Sequence, residues 1–417
     1  MWLKRLALTN FRSYARLGLE LPTGIVVFHG ANGQGKTNLL EAVHVLATTK
    51  STRAGSDREL VNWLARGEPT PFARIAASVG RDDGEVHVDL LLRAEGDGEA
   101  TNGNGPTVSK QIRVGGLPRR AVEYVGTVNA VLFSPEDVTL VGGPPAGRRR
   151  YLDITLSQVN SRYLRALQRY NKVLLQRNHL LRQVRDRRQP PALLEPWDAE
   201  LVTSGSYLIA ERGRLLAALN ARLPELYRAL SGGRGRLEAV YRSSLDAPRP
   251  AVAAPQPEPV VASRVAEAPT PTWSPTAVGA TPAGLSERFQ ACLVGGRERE
   301  LAQGVSMVGP HRDDLDFLVD GVPQGVYGSR GQQRLSVLAL KLAEVQFMRD
   351  ETGEPPLLLL DDVLSELDPA RQRFVLDTLG GDGQTLLTTT DLGSLDPAFL
   401  ARARVYRVED GALHSAA

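Results

Sequence analysis

Apolar and polar positions at the two ends of the chain follow the pattern of strands that alternate with helices. Ile25 to Phe28 is an apolar run, and Asn38 to Val43 then places apolar residues at helical spacing. Near the other end, helical periodicity from Leu335 to Phe347 precedes an apolar strand run at Leu357 to Leu360, and Thr385 to Thr389 is a further strand. This alternation predicts one α/β sheet domain built from both ends of the chain.

The middle of the chain has a different pattern, because its apolar residues recur at steps of three, four or seven. This spacing runs from Leu156 to Val184, and a helical pattern continues from Leu193 to Leu230. The second stretch is interrupted by three helix-breaking residues: Pro196, Gly205 and Gly213. Arg177 occupies a core position of the first stretch, so an uninterrupted coiled-coil seam is not expected. The pattern predicts a mainly helical second lobe inserted into the sheet domain.

These patterns divide the chain into three predicted parts. The sheet domain takes residues 1–150 and 301–417, and the helical lobe takes residues 151–300. Nine prolines between Pro248 and Pro282 lie in a stretch without periodicity. Such a stretch cannot bury enough apolar surface to become ordered, so a disordered insertion is predicted at about residues 246–284. Glu95 to Pro106 lies between two strand-like runs and is predicted to be a mobile hairpin tip.

Composition adds several exclusions. The chain has 417 residues, 42% of them hydrophobic, which is ordinary for a globular protein with a buried core. No run approaches 18 uninterrupted apolar residues, and no apolar stretch of signal-peptide length follows Met1 to Arg5. We therefore expect a cytoplasmic protein without a membrane segment. Cys292 is alone and cannot form an internal disulfide; it is more typical of a small core residue than of a nucleophile. The six histidines lack metal-ligand spacing.

The loop between the first apolar strand and its helix carries the strongest chemical signal in the chain. It satisfies the pattern G-x-x-x-x-G-K-[ST], and its residues are Gly30, Ala31, Asn32, Gly33, Gln34, Gly35, Lys36 and Thr37, followed by Asn38 in the predicted helix. Glycines let backbone N–H groups encircle phosphate oxygens, and the positive end of the helix adds to the attraction. The loop predicts an ATP site in which Lys36 reaches the phosphates and Thr37 binds Mg²⁺.

Two carboxylates follow the apolar strand Leu357 to Leu360. A phosphate-binding loop needs an acid on a neighbouring strand to complete the magnesium shell, and Asp361 is the candidate. Asp362 would then orient or deprotonate the attacking water and is the candidate catalytic residue. The alternative for Asp362 is an acid at the N-terminus of a helix.

A second predicted anion site precedes the helix that begins near Leu335. It consists of Ser329, Arg330, Gly331 and Gln332. With the Asp-Asp strand and the following Ser-Glu-Leu-Asp, which ends at Asp368, this series resembles the signature, Walker B and D-loop of ABC-type ATPase heads. The resemblance implies an ABC-type P-loop head in which the signature of one subunit contacts the γ-phosphate held by another, giving an ATP-dependent homodimer. An ordinary capped helix is the alternative for this segment.

The spacing of these motifs narrows the resemblance. Nearly three hundred residues separate Lys36 from Ser329, more than in transporter subunits and far fewer than in heads of the SMC class. Three further stretches resemble the RecF family of bacterial recombination mediators: residues 8–14, residues 135–153 and residues 309–314. The resemblance implies a role in DNA replication, DNA repair and the SOS response, binding to duplex DNA at single-strand gaps, and RecR and RecO as partner proteins. It leaves open the role of His311, which is as readily a hydrogen-bonded loop residue.

Two departures from the ABC pattern predict slow ATP hydrolysis. The glutamine that usually follows the strand before the helical insertion is absent, and Glu136 is only a weak substitute for it. Thr389-Thr390-Asp391 stands where Thr-His-Asp would be expected, so the chain lacks the usual histidine that senses the γ-phosphate.

Charge is unevenly distributed although the net charge is only +3. Twelve basic residues lie between Arg148 and Arg188, against Asp153 and Asp186. A concentration of this kind is typical of a polyphosphate partner, because lysine and arginine contact phosphates without reading sequence. The candidate DNA contacts are Arg148, Arg149, Arg162, Arg165, Arg169 and Lys172. A solvated arginine-rich helix face without a ligand is the alternative.

Taken together, the sequence predicts an ATP-dependent DNA clamp that dimerises with ATP and helps to load recombinase at gaps. Two other classes of function stay open. One is an ABC-type ATPase subunit that energises a membrane or protein partner without binding DNA. The other is a nucleotide-switched interaction protein with negligible hydrolysis.

Overall fold

The computed structural model describes residues 1–94, 108–246, 281–379 and 383–415. The chain groups into two compact units. Unit 1 comprises residues 1–165, 218–238 and 317–417, and unit 2 comprises residues 166–217 and 239–316. The predicted hairpin tip lies outside the described residues, and so does almost all of the predicted disordered insertion.

Fifteen strands occur in the described residues. In chain order they are β1 (Trp2–Phe11), β2 (Tyr14–Glu20), β3 (Ile25–His29), β4 (Phe72–Arg81), β5 (Gly84–Ala94), β6 (Val108–Val114), β7 (Leu117–Arg119), β8 (Ala130–Phe133), β9 (Leu237–Arg242), β10 (Asp314–Val319), β11 (Val322–Pro323), β12 (Leu357–Asp361), β13 (Thr385–Thr389), β14 (Ala403–Glu409) and β15 (Ala412–Ser415).

Twelve α-helices occur in the same part of the chain. They are α1 (Lys36–Thr48), α2 (Ala121–Tyr124), α3 (Thr139–Gly142), α4 (Pro145–Val159), α5 (Ser161–Arg185), α6 (Glu195–Asn220), α7 (Leu223–Leu230), α8 (Pro282–Gln303), α9 (Gln324–Tyr327), α10 (Arg330–Thr352), α11 (Pro369–Leu379) and α12 (Pro397–Leu400).

Strands from both ends of the chain form one six-stranded sheet in unit 1, in the order β15-β14-β3-β13-β12-β8. The five strands from β14 to β8 are parallel, and β15 returns antiparallel to β14. Every residue of β12 and β13 is buried, which is why these strands read as continuous apolar or threonine-rich runs rather than alternating ones. Because the strands are parallel, the carboxyl ends of β3, β12 and β13 meet at one edge.

A second six-stranded sheet of unit 1 is antiparallel, in the order β2-β1-β4-β5-β6-β7. Along its strands, buried side chains alternate with more exposed ones, and one face of the sheet buries side chains such as Leu6, Ile75 and Leu90. These side chains belong to the same core cluster as Leu39 and Val43 of α1 and several residues of the parallel sheet. The helix that follows the phosphate-binding loop is therefore held in the main core of the unit.

Unit 2 contains a buried charge network built around Arg177 of α5, whose side chain is 0% exposed. Arg177 donates hydrogen bonds to Asp198 Oδ1 (2.7 Å), Glu300 Oε2 (2.5 Å) and Ser306 Oγ (2.6 Å). Two carboxylates thus pair with this guanidinium in the interior, where an unpaired charge would be strongly destabilising, and Asp198 also pairs with Arg297. The core position that the sequence predicted for Arg177 is confirmed, so Arg177 does not add to the surface charge of the basic segment in which it was counted.

The structure also corrects the predicted helices of the middle region. The first stretch is two helices, because the backbone of Asn160 is extended between α4 and α5. Gly205 and Gly213 do not interrupt α6. A Cβ at Gly205 would lie 2.6 Å from Phe289 and 3.0 Å from Tyr170, so this glycine permits close side-chain packing.

Residues 218–238, predicted to belong to the helical lobe, group with unit 1 instead. Leu223, Leu226, Tyr227 and Leu230 give α7 an apolar face that is buried there, and α7 packs against α10. None of the helices in the described part of the chain is long and apolar enough to cross a membrane.

Candidate nucleotide site and basic helix

The loop from Gly30 to Gly35 connects β3 to α1 in a backbone conformation that requires glycine. Gly30, Gly33 and Gly35 have φ angles of 156°, 82° and 104°. A Cβ at Gly30 would lie 2.4 Å from the carbonyl oxygen of Val408, and one at Gly35 would lie 2.8 Å from Ser13 Oγ. Larger residues would therefore clash as well as strain the backbone. Ala31, Asn32 and Gly33 are exposed at the crest of the loop.

Lys36 begins α1, and its ammonium group lies inside the curve of the loop. Its Nζ donates to the carbonyl oxygens of Gly30 (2.6 Å) and Ala31 (2.8 Å). Burial lowers the pKa of Lys36, while the nearby Asp362 and Asp361 carboxylates act in the opposite direction and favour the charged form. Positive charge is thus held at the N-terminus of α1, where backbone N–H groups also attract anions.

The loop is braced by residues distant in sequence. Three hydrogen bonds do this: Tyr14 OH to the Gly35 carbonyl (3.0 Å), Asn38 Nδ2 to Ser13 Oγ (2.9 Å), and the Asp410 amide to Gln34 Oε1 (2.6 Å). Burial raises the pKa of Tyr14, so its hydroxyl stays protonated and can donate. The sequence did not predict these supports, because the β1–β2 and β14–β15 turns meet the loop only in the folded chain.

Asp361 lies at the carboxyl end of β12 and accepts two hydrogen bonds on one oxygen. Thr37 Oγ1 donates to Asp361 Oδ1 at 2.9 Å, and Thr388 Oγ1 donates to the same atom at 2.8 Å. Burial raises the pKa of Asp361, and the two threonine hydroxyls partly oppose this shift. The structure therefore brings Thr37 and Asp361 together although 324 positions separate them. Hydroxyl and carboxylate oxygens of this kind are the donors that Mg²⁺ prefers.

Asp362 has a left-handed backbone, with φ at 53°. Its amide donates to Thr388 Oγ1 at 3.0 Å, and this places the two acids on one shared threonine. Its Oδ1 atom is buried and has no hydrogen-bond partner among the described residues. Left-handed backbone is tolerated better by Asp and Asn than by longer side chains, which gives a physical reason for an aspartate here.

Ser329 is the N-cap of α10 and forms a reciprocal capping box. The Ser329 amide donates to Gln332 Oε1 (2.8 Å), and the Gln332 amide donates to Ser329 Oγ (3.2 Å). All four residues of the predicted signature are exposed: Ser329, Arg330, Gly331 and Gln332. The alternative of a capped helix is correct for the local geometry, and the cap leaves the segment accessible to a ligand.

Asp368 caps the following helix rather than standing alone. Its carboxylate accepts from the Arg371 amide (3.0 Å) and pairs with the Arg371 guanidinium (2.6 Å).

At the position of the missing histidine, Thr390 is exposed, and Asp391 accepts from the Gly393 amide at 2.8 Å. Glu136 accepts from Ser134 Oγ and lies 3.8 Å from Arg53.

The basic segment is only partly a surface feature. Arg162, Arg165, Arg169 and Lys172 are exposed at helical spacing along α5. The charge of Arg169 is neutralised by an ion pair with Glu200.

Arg148 was wrongly assigned to this surface. It is 7% exposed and donates to the carbonyl oxygen of Gly143 at 2.6 Å, so it supports the turn before α4. Arg149 is half-buried. The exposed set is therefore smaller than the twelve basic residues of the segment suggested.

The stretch Gly309 to Asp314 has a structural role inside unit 2. Gly309 has φ at 128°, and a Cβ there would lie 2.4 Å from Tyr170 OH. His311 Nδ1 lies 2.6 Å from the same hydroxyl, and buried Asp313 accepts from Tyr241 OH at 2.6 Å. Arg312 donates to the Ser306 carbonyl at 3.0 Å. The histidine is thus a hydrogen-bonded loop residue, as the alternative interpretation held.

Comparison with known proteins gives consistent matches over the whole chain. The family described as "RecF/RecN/SMC N terminal domain" matches residues 2–413. The DNA replication and repair protein RecF of Chloroflexus aurantiacus is 46% identical over 99% of both chains, and that of Roseiflexus castenholzii is 43% identical over 100% of both. A solved structure of the recombination mediator RecF with ATP, from the RecFOR pathway, has a TM-score of 0.79 at 29% identity and covers 100% of this chain and 98% of its own.

Proposed function

The chain belongs to the RecF family, within the RecF/RecN/SMC N-terminal domain group, and from this we propose that it is an ATP-controlled DNA clamp of recombinational repair. The ABC-type head fold and the relationship to DNA replication and repair proteins are the established frame. The residue roles, the DNA structure and the partners that follow are proposals within it.

One observation carries the proposal. Thr37 Oγ1 in the first turn of α1 and Asp361 Oδ1 at the end of β12 lie 2.9 Å apart, although β13 separates β12 from the strand β3 that leads into the loop. This pairing joins the phosphate-binding loop to the acidic strand and gives a place for both a triphosphate and its cation. The related solved structure of RecF with ATP supports ATP as the nucleotide.

The chain's own groups bind the nucleotide by charge and by backbone donors. The N–H groups of the Gly30–Gly35 loop and of the first turn of α1 hold the phosphates, and Lys36 neutralises part of their charge. The three bracing hydrogen bonds keep the loop in the conformation that these contacts need. Little ordering is then required when the nucleotide binds.

Mg²⁺ fits the donor set of Thr37 and Asp361, because both are hard oxygen ligands and Asp361 is already oriented by Thr388. When bound, the cation would neutralise charge on the phosphate oxygens. Magnesium binds the deprotonated carboxylate, so protonation of Asp361 would weaken binding of the cation. Because burial raises the pKa of Asp361, this weakening should begin at a higher pH than it would for an exposed aspartate.

Asp362 is the residue that would orient the attacking water and accept its proton. Its unpaired, buried Oδ1 is an acceptor for that water. The carboxylate reaches one methylene less far than glutamate would, and Thr390 cannot replace an imidazole at the γ-phosphate. Slow hydrolysis follows from both features, and it suits a switch that must stay closed for a time.

The exposed turn at Ser329–Gln332 would bind the γ-phosphate held by a second copy of the chain. It offers helix N-terminal donors and a serine hydroxyl in unit 1. Two such contacts close a two-fold dimer around two nucleotides, with Asp368 near the contact. Loss of the γ-phosphate removes the bridge, and the clamp opens.

The nucleic-acid ligand is duplex DNA at single-strand gaps, with the exposed basic residues of α5 contacting its phosphates. The proteins RecR and RecO are the proposed partners, consistent with the RecFOR pathway of the related RecF. In this role the closed dimer would mark a gap and help to load recombinase.

A comparison of DNA binding by the wild type and Lys36→Met tests the function. Fluorescence anisotropy with gapped and blunt duplexes should show tighter, gap-preferring binding with ATP, and the variant should lose the ATP effect while keeping its unfolding profile. A wild type that binds no DNA with or without ATP would favour the alternative, an ABC-type subunit for a membrane or protein partner. Steady-state phosphate release separates a slow ATPase from a switch with negligible hydrolysis.

A further inference from the structure

The solvent face of the antiparallel sheet in unit 1 carries a cluster of arginines that the nucleotide site does not use. Because side chains alternate along a strand, the residues opposite the buried core positions share this face. They include Arg5 on β1, Arg16 on β2, Arg74 on β4, Arg93 on β5 and Arg113 on β6, and all five are exposed. We name these five residues the arginine face.

Pairing registers confirm that the arginines stand over one surface. Arg5 lies between Glu20 and Ser78, and Ser78 lies opposite His87; Arg16 lies opposite Thr9, which lies opposite Arg74. Arg113 lies opposite Asp89, and Arg93 lies opposite Ser109. Neighbouring strands are about 4.8 Å apart and alternate residues along a strand about 6.7 Å apart. The five guanidinium groups are therefore distributed over several strands of a rigid sheet rather than along one helix.

The charge of this face is unbalanced. Arg74 pairs with Asp89, with Arg74 Nε 2.9 Å from Asp89 Oδ1. The other four arginines form no ion pair within 4.0 Å among the described residues, and apart from Asp89 and the Lys4–Glu85 pair the strands place only Glu20 on this face. Five arginines against Asp89 and Glu20 leave an excess of three positive charges.

The centre of the face is shallow and lined by small residues. Ala7 of β1 lies between Gly18 of β2 and Ala76 of β4, in one row across the sheet. A groove of about 400 Å³ is lined there by Ala7 and Ala76 together with Arg5, Arg74, His87 and Arg113, and by Asp89, the carboxylate that pairs with Arg74. Small side chains in the floor and arginines at the margins leave room for a backbone to approach.

Exposed arginines around small central side chains are better suited to bind phosphates than to bind another protein. Protein interfaces gain most of their affinity from large apolar or aromatic side chains at the centre, and here the centre is alanine and glycine. Arginine presents a planar set of donors that matches phosphate oxygens and stays charged at any physiological pH. The phosphates of a duplex offer the extended array of anions that a spread cluster needs.

We propose that the arginine face is a second contact surface for the phosphodiester backbone of duplex DNA, separate from α5. The inference rests on the proposed DNA-binding function and adds a surface of unit 1 to it. It requires no base recognition, so binding there depends on salt and on duplex structure and not on sequence.

The test replaces Arg5, Arg16, Arg93 and Arg113 together by Gln, which removes charge but keeps polar side chains on the strands. Arg74 is left intact because it pairs with Asp89. The matched control replaces Arg119, Arg228, Arg402 and Arg404 by Gln, four exposed arginines of unit 1 outside the arginine face. Binding of a blunt 30-base-pair duplex is measured by anisotropy over a salt series, with thermal unfolding and fluorescent-nucleotide binding as checks on folding.

We expect the arginine-face variant to bind duplex more than tenfold more weakly and to lose about 0.9 from the slope of log K against log salt for each phosphate contact removed. The control should keep the wild-type slope. An arginine-face variant with the wild-type slope and affinity overturns the inference, and so does an equal loss in the control, which would make the effect one of net charge. Wild-type protein that binds no duplex would instead reject the proposed function itself.

A double arginine-to-glutamine variant, Arg5→Gln with Arg113→Gln, guards against misfolding of the fourfold variant. The decrease in its slope of log K against log salt should be about half of the decrease in the fourfold variant. A folded double variant with unchanged slope contradicts the inference even if the fourfold variant cannot be purified.

Discussion

Asp362 combines a left-handed backbone with a buried, unpaired carboxylate oxygen. Both properties favour the short acid, because Asp and Asn are the non-glycine residues that best tolerate positive φ. The position therefore restricts its side chain in a way that a motif pattern does not reveal.

The first prediction concerns the chemistry of this residue. Asp362→Asn should keep ATP binding, because Thr37 and Asp361 are untouched and asparagine accepts the same backbone conformation. Phosphate release should fall at least tenfold, since the amide cannot accept the proton of water. Fluorescent-nucleotide titration and steady-state phosphate release measure the two effects. Normal phosphate release by this variant would reassign Asp362 to a purely structural role.

The second prediction concerns pH and His44 of α1. Burial lowers the pKa of this histidine to about 4, with Lys341 acting in the same direction. The unfolded chain, with an ordinary histidine pKa near 6.5, then binds the proton more strongly, so the stability contributed by neutral His44 is present above pH 6.5 and lost as pH falls towards 4. Between pH 7.5 and 5.0 this group should remove about 2 kcal/mol from the free energy of unfolding.

His44→Gln should reduce the loss of stability over that pH range by about the same amount, measured by urea unfolding at several pH values. His179→Gln, which changes an exposed histidine of α5, is the matched control and should leave the pH dependence unchanged. Equal pH dependence in the wild type and His44→Gln would contradict the assignment.

At the scale of single elements, α5 shows how a continuous helix divides its charges. Arg177 faces inward to two carboxylates, while Arg165 and Lys172 face solvent. Arg169 is also exposed, but it is held by Glu200. Basic residues on one helix therefore differ in what they can offer to a polyanion.

The third prediction follows from that difference. Arg165→Gln and Lys172→Gln should each weaken duplex binding about equally across sequences and lower the salt slope by about 0.9, as expected for one lost phosphate contact. Arg169→Gln is the matched control within the helix, and its effect should be smaller because Glu200 already satisfies that guanidinium. Anisotropy over a salt series measures all three, and an unchanged slope in the first two would place the DNA elsewhere.

At the scale of the whole molecule, the nucleotide site of one chain is incomplete in the proposed mechanism. The phosphate-binding loop supplies donors for one side of a triphosphate, and the exposed turn at Ser329 supplies donors without a phosphate in its own chain. A second copy is the simplest source of that phosphate.

The fourth prediction is that ATP, and not ADP, makes the protein a dimer, and that Ser329→Arg prevents this. Arginine adds bulk at the contact and should leave nucleotide binding by the single chain nearly intact. Sedimentation velocity with a non-hydrolysable ATP analogue measures the state of association. A wild type that stays monomeric, or a variant that dimerises normally, would reject the completion of the site by a partner copy.

A second variant separates the contact from the helix cap. Ser329→Asp keeps a good N-cap for α10, whereas arginine loses about 1 kcal/mol of capping. The aspartate would repel a γ-phosphate, so it should also prevent the dimer while its thermal unfolding stays close to that of the wild type.

The sequence by itself determined the features that depend on local order. The glycine loop and its flanking elements could be predicted because glycine spacing, a preceding strand and a following helix are all encoded within residues 25–48, and the structure has β3 and α1 there, while phosphate binding by the loop stays a prediction. Asp361 and the strands β12 and β13 were predictable for the same reason, since continuous apolar or threonine-rich runs of strand length indicate buried parallel strands. The strand at Thr385–Thr389 has the predicted bounds.

Only the tertiary structure decided which distant side chains meet and which charges are buried. Tyr14 at the start of β2 and Asp410 in the β14–β15 turn support the loop through hydrogen bonds, and Thr388 links the two acids through a neighbouring strand. Arg148 could not be told from its exposed neighbours, and the core position of Arg177 was predictable but its partners were not, because helical periodicity records spacing and not the carboxylate or carbonyl that a fold brings to a guanidinium. The arginine face was equally hidden, since its members come from five strands whose pairing and register exist only in the assembled sheet.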